Sequence, residues 1–212
     1  MSSQQTNRRG SDKRDRILSA AVKVFARSGY YTAKVSDVAR EAGVADGTIY
    51  LYFKNKDDLL ISAFEDRMTW LNERLRNELE GLEGGVIEKI GRCIEMHLAL
   101  AREERELAEF ITVELRQSSK FIKEYKNQKF AEYLQILGEV LAQGQAEGLI
   151  RTDVELHGVS RAMFGACDEV LLSLVLRKEI SEGLIEQRAA ELSKLFIGGL
   201  RRVAQETQGA RA

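Results

Sequence analysis

Proline is absent from this 212-residue sequence, and strand signals are missing as well. Because proline interrupts helices, its absence leaves long helices unbroken. The 17 glycines fall largely where helices would end or pack closely. We therefore predict an all-α protein, and its 44% of apolar residues is enough for a sizeable core.

Cysteine and histidine are scarce, with two residues of each. Cys93 and Cys167 lie far apart without a CxxC pair or metal-ligand spacing, which predicts reduced thiols and no zinc site. No Ser-His-Asp or Cys-His constellation and no phosphate loop occurs, so we expect no catalytic residue, no metal and no cofactor. A carboxylate pair of Glu114 and Asp168 is the remaining enzymatic option.

Long apolar runs are also lacking. No stretch reaches the roughly 18 apolar residues of a membrane-spanning helix, and the N-terminus carries no apolar run behind its charges. We expect a soluble, cytoplasmic protein that makes no contact with a membrane.

Charge is distributed unevenly, although the net charge is only −1. Residues 1–56 hold 11 Lys and Arg against 5 Asp and Glu, whereas residues 57–212 hold 21 against 28. Phosphate binding depends on such local clusters. The excess of base predicts nucleic acid as the partner of the first part. Besides an enzyme and a DNA-binding protein, a helical scaffold or adaptor protein is a third functional class, but it does not explain this segregation of charge.

The chain divides into three segments. Residues 1–10 are polar, basic and aperiodic, which predicts a mobile arm whose Arg8 and Arg9 reach DNA. Residues 11–56 form the DNA-reading part, and residues 57–212 a larger helical domain. About nine helices are predicted in all, near 11–28, 35–42, 46–52, 55–82, 86–102, 105–117, 119–147, 154–178 and 183–206.

The segment around Gly43 predicts a helix-turn-helix. Apolar residues at 35, 38, 39 and 42 form one buried helical face, and Gly43 follows at the position where a left-handed residue ends a helix. A short second helix then crosses the first. Asn55 is predicted to cap a fourth helix, with Asp58 in its capping box. That helix runs on into the second domain and is the natural element to transmit a signal.

The last two helices predict a homodimer interface. The helix from 154 to 178 is apolar nearly all round, so it must be covered on two sides. The final helix carries a packing seam with alternating spacings of four and three residues. A symmetric four-helix interface made by these two helices in each copy satisfies both requirements.

Residues 11–60 resemble the DNA-binding domain of the TetR family of repressors. The resemblance rests on three patterns in the family's order and spacing: AAVKVFARSG (20–29), VSDVAREAGV (35–44) and GTIYLYFKNK (47–56). It implies a homodimer that binds double-stranded operator DNA. It also implies a helical ligand-binding and dimerisation domain, and repression that a small molecule relieves.

The resemblance assigns the DNA contacts residue by residue. Tyr50, Tyr52 and Lys56 match positions that contact the phosphate backbone, although one tyrosine ring is also expected in the small core, with Tyr50 as the candidate. Gly47 and Thr48 match positions near base edges. Many relatives have Ser or Thr where this chain has Lys34 and Ala45, so helix capping must be met otherwise. The remaining predicted DNA-binding residues are Lys34, Ser36 and Asp46.

Four polar residues lie on or next to otherwise apolar helix faces of the second domain: His97, Glu114, Arg116 and Asp168. Buried charge needs a partner. Each residue is therefore either half of an internal ion pair or a capped helix end, or a ligand contact. Grouped around a pocket, they favour ligand binding.

A narrower resemblance concerns the fatty-acid-degradation repressors released by long-chain acyl-CoA. It rests on ELRQS (114–118), on Phe164 with Gly165 and the acidic pair 168–169, and on residues 44–56. It implies an apolar tunnel for the acyl tail and basic groups at its mouth. The apolar candidates are Leu100, Leu107, Phe110, Phe130, Tyr133, Leu137 and Phe164. The basic candidates are Arg116, Lys120, Lys123 and Lys126.

Two alternatives stay open for these residues. Apolar stripes at helical spacing are ordinary core far more often than ligand sites. The rival effector is a lipophilic drug or other metabolite, for which a neutral or cationic compound needs no basic mouth. In either case, we expect the ligand to select between two dimer geometries that differ in the separation of their recognition helices.

Overall fold

The computed structural model describes residues 2–115 and 127–201, without the side chains of residues 2–11 and Glu114. Its α-helices are α1 (Ser2–Ser28), α2 (Val35–Ala42), α3 (Asp46–Ile49), α4 (Lys56–Gly81), α5 (Val86–Glu103), α6 (Arg105–Glu109), α7 (Gln128–Ala146), α8 (Leu156–Val175) and α9 (Leu184–Leu200). A π-helical turn, Phe110–Glu114, continues α6. Within the described ranges β-structure is limited to an isolated bridge between Ile150 and Arg201, so the all-α prediction is confirmed.

The first helix departs from the prediction. It begins at Ser2, so the predicted start at Ser11 is wrong, while the mobility of the arm stays a prediction. Most polar residues cost less than about 0.7 kcal/mol each in a helix, and Gly10 about 1 kcal/mol, so nothing in this segment enforces an end. The side chains of Arg8 and Arg9 lie outside the described ones, and their contact with DNA stays a prediction.

The helix-turn-helix forms as predicted. α2 ends at Ala42, and Gly43 follows with φ 64° and ψ 40°. The Val44 N–H donates to the Ala39 carbonyl, and the Gly43 N–H to that of Arg40. These two bonds satisfy carbonyls that the helix end leaves open, and the left-handed glycine turns the chain towards α3. α3 ends at Ile49, three residues earlier than predicted.

The capping of α4 agrees with its sequence. The Asn55 side chain accepts a hydrogen bond from the Asp58 N–H at 2.9 Å, and the Asp58 carboxylate accepts one from the Lys54 N–H at 2.8 Å. α4 then runs unbroken for 26 residues, which is about 39 Å at 1.5 Å per residue. It begins in the small three-helix core and passes into the second domain.

The predicted helices around residue 120 fall partly outside the described chain. Over the predicted helix 105–117, α6 and the π-helical turn cover Arg105–Glu114, and residues 116–117 lie outside the described chain. α7 begins at Gln128, where the Asn127 side chain accepts from the Phe130 N–H. The predicted helix start at 119 lies in the undescribed stretch, as do residues 202–206 of the final helix.

Side-chain contacts of α1 help to hold the predicted DNA-reading part (residues 11–56, the reading half) against the second domain (residues 57–212, the sensing half). The Phe25 ring of α1 stacks on the Phe110 ring of the π-helical turn, with centroids 6.3 Å apart. Arg27 donates to Glu106 of α6 at 2.7 Å. The aromatic contact is fully buried, whereas the ion pair is exposed and contributes little by itself.

The outer faces of α8 and α9 are only half covered within one chain. In α9 the buried residues are Ile185, Ala189 and Leu200, whereas Leu195 is 67% exposed. A Cβ added at Gly165, Gly198 or Gly199 would meet nothing within 4 Å. The predicted dimer interface falls on this open apolar surface. No helix among the described residues is long and apolar enough to cross a membrane.

Candidate nucleic-acid interface and internal cavity

The short α3 presents an exposed surface. Of its four residues, Ile49 alone is buried, while Asp46 and Gly47 are exposed and Thr48 is half-buried. Tyr50 and Leu51 follow with exposed fractions of 58% and 82%. One anchored residue therefore holds a segment whose other side chains face outward.

Gly47 is not required by the packing of the chain. A Cβ built there meets no atom within 4 Å, and its φ lies outside the left-handed region. Glycine inside a helix costs about 1 kcal/mol relative to alanine. The fold itself therefore does not require glycine here. Close approach of another molecule, such as the groove of DNA, would require it.

The two tyrosines divide their roles. Tyr52 is half-buried against the core, with its ring centroid 6.3 Å from that of Phe53, which is only 2% exposed. Tyr50 is exposed. The core role considered for the Tyr50 ring is therefore wrong: Tyr52 packs against the core instead, and the hydroxyl of Tyr50 is accessible to a phosphate.

Lys56 is the first residue of α4, as predicted. Its ammonium lies 3.3 Å from the Tyr31 carbonyl oxygen and 4.6 Å from the Tyr30 ring centroid. The Tyr30 hydroxyl in turn donates to Asp57. Burial lowers the pKa of Lys56, and Asp57 acts in the opposite direction. The cation is thus positioned at a helix N-terminus, where backbone N–H groups also attract phosphate.

No side chain replaces the missing hydroxyl cap at Lys34, but Asp37 forms the other half of a capping box. The Lys34 N–H donates to the Asp37 carboxylate at 3.1 Å, and Arg40 pairs with the same carboxylate at 2.6 Å. The bond from Lys34, followed by that from Arg40, lowers the pKa of Asp37. The Lys34 side chain is exposed at the start of α2, and Ser36 beside it is half-buried. For α3, Asp46 supplies a charge in the first turn, and the N-cap Ala45 makes no side-chain bond.

A largely apolar cavity lies between α4, α5, α7, α8 and the π-helical turn. The centre of a water-sized sphere can occupy about 30 Å³ of it, within about 450 Å³ of empty space that includes open solvent. Three of its wall residues carry polar groups, namely Arg74, His97 and Tyr133. The others are Met68, Leu71, Leu75, Met96, Leu100, Ile111 and Phe164.

His97 and Tyr133 form a buried polar pair in this wall. His97 Nδ1 lies 3.0 Å from the Tyr133 hydroxyl. Burial lowers the pKa of His97 to about 4 and raises the pKa of Tyr133 well above its usual value. Both groups are therefore neutral at physiological pH. Among the described residues His97 Nε2 has no hydrogen-bond partner.

The structure gathers four of the predicted ligand residues at the cavity: His97, Leu100, Tyr133 and Phe164. Phe130 is behind Phe164, with ring centroids 4.6 Å apart, and lines a separate groove between α7 and α8. Asp168 is 5% exposed and does not line the cavity.

Other predicted ligand residues lie elsewhere. Leu107, Phe110 and Leu137 are buried but outside the cavity wall, Phe110 because it faces α1. The Glu114 side chain, Arg116, Lys120, Lys123 and Lys126 lie outside the described part of the chain. Ligand contact by all of these residues stays a prediction.

The sequence did not lead us to predict the α4 side of the cavity. Met68, Leu71 and Leu75 line it at spacings of three and four residues, a stripe that was visible in the sequence but unassigned. Arg74 was missed as well. Its guanidinium donates to Glu103 of α5 at 2.6 Å and lies 5.5 Å from the Trp70 ring centroid.

These features define a class of protein: a DNA-binding regulator whose reading unit is joined by one continuous helix to a helical domain with an internal cavity. Residues 17–63 match the model of bacterial regulatory proteins of the tetR family, and residues 64–199 match the C-terminal region of YsiA-like proteins. The chain belongs to the TetR family of bacterial regulatory proteins. Members of this family are transcriptional regulators and not enzymes.

The chain is similar to a fatty acid metabolism regulator protein of Bacillus subtilis, with 37% identity over 77% of this chain and 84% of the relative. It is also similar to the solved structure of the regulator FadR from Bacillus subtilis in complex with stearoyl-CoA. That match has a TM-score of 0.79 and 34% identity over 88% of this chain and 98% of the other. For the fatty acid degradation regulator FadR of Bacillus halodurans the TM-score is 0.78 and the identity 35%, over 88% and 99%.

Proposed function

We propose that this protein is a repressor of fatty-acid degradation genes that long-chain acyl-CoA releases from DNA. It binds a palindromic operator as a homodimer formed through α8 and α9. The proposal is supported by the similarity to the two FadR proteins, one of them in complex with stearoyl-CoA. Because bacterial DNA lies in the cytoplasm and the family is one of bacterial regulatory proteins, we infer that the protein works there.

The surface around α3 is the proposed reading surface. Gly47 and Thr48 approach base edges in the major groove, while Tyr50, Tyr52 and Lys56 hold the phosphate backbone. Lys34, Ser36 and Asp46 lie at the starts of the two helices that enclose the turn. The exposure of Tyr50 and the open space around Gly47 support this assignment.

The cavity is the proposed effector site. Its apolar wall suits an acyl tail, but the space open to water-sized centres is only about 30 Å³, so the surrounding helices must move apart to admit the tail. Arg74 is a cation on the same wall, where it fits a phosphate of the coenzyme once Glu103 is displaced. The observation that carries the proposal is that α4 itself forms part of the cavity wall, through Met68, Leu71 and Leu75.

The coupling follows from the length of α4. The cavity residues of α4 lie about 18 to 28 Å along the helix axis from Lys56. A ligand that widens the cavity pushes on this stretch and moves the reading end with it. In a dimer, the two recognition helices then leave the separation of about 34 to 36 Å that successive major grooves require. The effector acts because it binds the two geometries unequally.

A DNA-release experiment tests the effector. Operator fragments are first selected from genomic DNA by the purified protein, and release is then followed by fluorescence anisotropy. Micromolar stearoyl-CoA should release the DNA, whereas coenzyme A and free stearate, the two halves of the ligand, should not. Retention of DNA at saturating acyl-CoA would refute the effector proposal, and release by a neutral lipophilic drug instead would support the rival ligand class.

A further inference from the structure

His97 carries a nitrogen atom that lacks a hydrogen-bond partner and lies in a largely apolar cavity wall. It is 6% exposed, it lines the cavity, and its Nε2 has no hydrogen-bond partner among the described residues. An unpaired buried polar group is costly, so nearly all such groups in folded proteins are satisfied. Of the two such atoms among the described residues, Asn72 Oδ1 and His97 Nε2, only the second belongs to the wall of the proposed effector site.

Tyr133 determines whether His97 Nε2 is a hydrogen-bond donor or an acceptor. A phenol is a good donor and a neutral imidazole nitrogen a good acceptor, so the favoured bond runs from the Tyr133 hydroxyl to His97 Nδ1. A neutral imidazole carries one proton. With Nδ1 accepting, that proton resides on Nε2. The pair therefore presents one N–H donor that seeks an acceptor.

The surroundings of this N–H donor limit which atoms of a ligand can accept its hydrogen bond. The hydrocarbon tail of an acyl-CoA offers no acceptor, and its first polar atom is the carbonyl oxygen of the thioester. A carboxylate would be a poor match, because a neutral donor in an apolar wall does not compensate a desolvated charge. Arg74, the cation of the wall, is paired with Glu103 and is assigned above to a phosphate of the coenzyme, which a free fatty acid lacks.

We propose that His97, oriented by Tyr133, donates a hydrogen bond from Nε2 to the thioester carbonyl of the bound acyl-CoA. This contact makes the protein read the thioester as well as the tail, and it separates acyl-CoA from free fatty acid. The inference rests on the proposed function and adds the atom by which the ligand is recognised.

A matched ligand pair tests the contact. Stearoyl-CoA is compared with its thioether analogue, S-octadecyl-CoA, which keeps the tail and coenzyme and lacks the carbonyl. In the unaltered protein the thioether should bind about tenfold more weakly by isothermal titration calorimetry, which corresponds to the loss of one buried hydrogen bond. In His97→Phe the two ligands should bind equally.

Two further variants make the test specific. In His97→Gln the amide N–H takes the place of Nε2–H, so part of the discrimination should return. Asn72→Leu is the matched control, because Asn72 Oδ1 is also buried without a described partner but Asn72 does not line the cavity. It should keep the full tenfold discrimination. Melting temperatures show whether each variant is folded, and His97→Gln carries the test should His97→Phe not fold.

The outcomes separate the two proposals. Equal binding of thioester and thioether by the unaltered protein overturns the His97 contact and leaves the acyl-CoA proposal standing. Discrimination that persists in His97→Phe also overturns the contact. If neither ligand binds the unaltered protein, the acyl-CoA proposal fails, and the contact fails with it.

Discussion

The reading half and the sensing half of this protein differ in what they bury. The buried polar residues in the described chain are Asn72, His97, Thr112, Ser160 and Asp168, and all of them belong to the second domain. The buried side chains of residues 12–60 are apolar or aromatic. The reading half thus has an ordinary small core and keeps its chemistry on the surface, whereas the sensing half keeps its chemistry inside.

This difference shows where each half carries the features that function requires and that stability does not. Features that a fold does not need for its own stability are expected at functional sites. In the reading half these are exposed groups, such as Gly47 and Tyr50. In the sensing half they are a cavity and an unpaired nitrogen, which lower stability until a ligand fills them.

The largest expected effect concerns acid stability in the sensing half. The pKa of His97 is about 4 in the folded chain, below its ordinary value of 6.5. The unfolded chain therefore binds more protons between these values. The stability from the neutral histidine is present above about pH 6.5 and is lost as pH falls towards 4, by about 3 kcal/mol.

Urea unfolding measured from pH 7 to 4 checks this prediction. Replacing His97 and Tyr133 together by phenylalanine removes both polar partners, so the fall in stability with pH should be shallower by that amount. The same slope in the variant and in the unaltered protein would mean that another group causes the acid sensitivity.

The second effect belongs to the surface of the reading half. Lys56→Met keeps the aliphatic stem and removes the charge, so affinity for operator DNA should fall about 30-fold, or about 2 kcal/mol. The slope of log affinity against log salt should also decrease by about 1. Anisotropy titrations at several salt concentrations measure both quantities.

Lys89→Met, in the sensing half, is the matched control and should change neither the affinity nor the salt slope. Unaltered DNA binding by Lys56→Met would refute the assigned contact.

The third effect tests the cation of the cavity wall. Arg74→Met should weaken binding of stearoyl-CoA about tenfold, since it removes a partner for a coenzyme phosphate. Arg76 is the matched control, because it pairs with Glu139 on the outside and does not line the cavity. Calorimetry on Arg74→Met and Arg76→Met separates the two sites. Equal losses in both variants would point to a general effect of surface charge.

The smallest effect tests the one exposed glycine of α3. Neither Gly47→Ala nor Gly81→Ala meets an obstacle within 4 Å, so both variants should fold normally. Gly47→Ala should weaken operator binding about fivefold, because the methyl group intrudes on the groove, whereas Gly81→Ala should leave it unchanged. If Gly47→Ala binds DNA as well as the unaltered protein, the backbone at this position does not approach the bases.

The sequence predicted the reading half better than the sensing half for a physical reason. A left-handed glycine after a periodic stripe fixes a helix end locally, and α2 ends at Ala42 before Gly43 as expected. Asn55 and Asp58 fixed the start of α4 in the same local way. In both places, the residues that carry the signal lie next to the boundary that they determine.

The cavity depends on which buried faces meet, and periodicity does not report this. Leu107 and Phe110 lie on a predicted apolar face but pack away from the cavity, whereas Leu71 and Leu75 form part of its wall. Arg74 escaped notice because an arginine on a long amphipathic helix is usually an exposed surface residue. Its position on the wall follows from the packing of α4 against α5, which residues far apart in the sequence determine together.

The π-helical turn after α6 has a consequence for how these two halves evolve. Ile111 lines the cavity, while Phe110, its neighbour in the chain, stacks on Phe25 of the reading half. Sensor and reader are therefore separated at this point by a single peptide unit. A substitution that reshapes the cavity here to suit another effector also disturbs the domain junction, so new specificity is acquired more safely on α5 or α7.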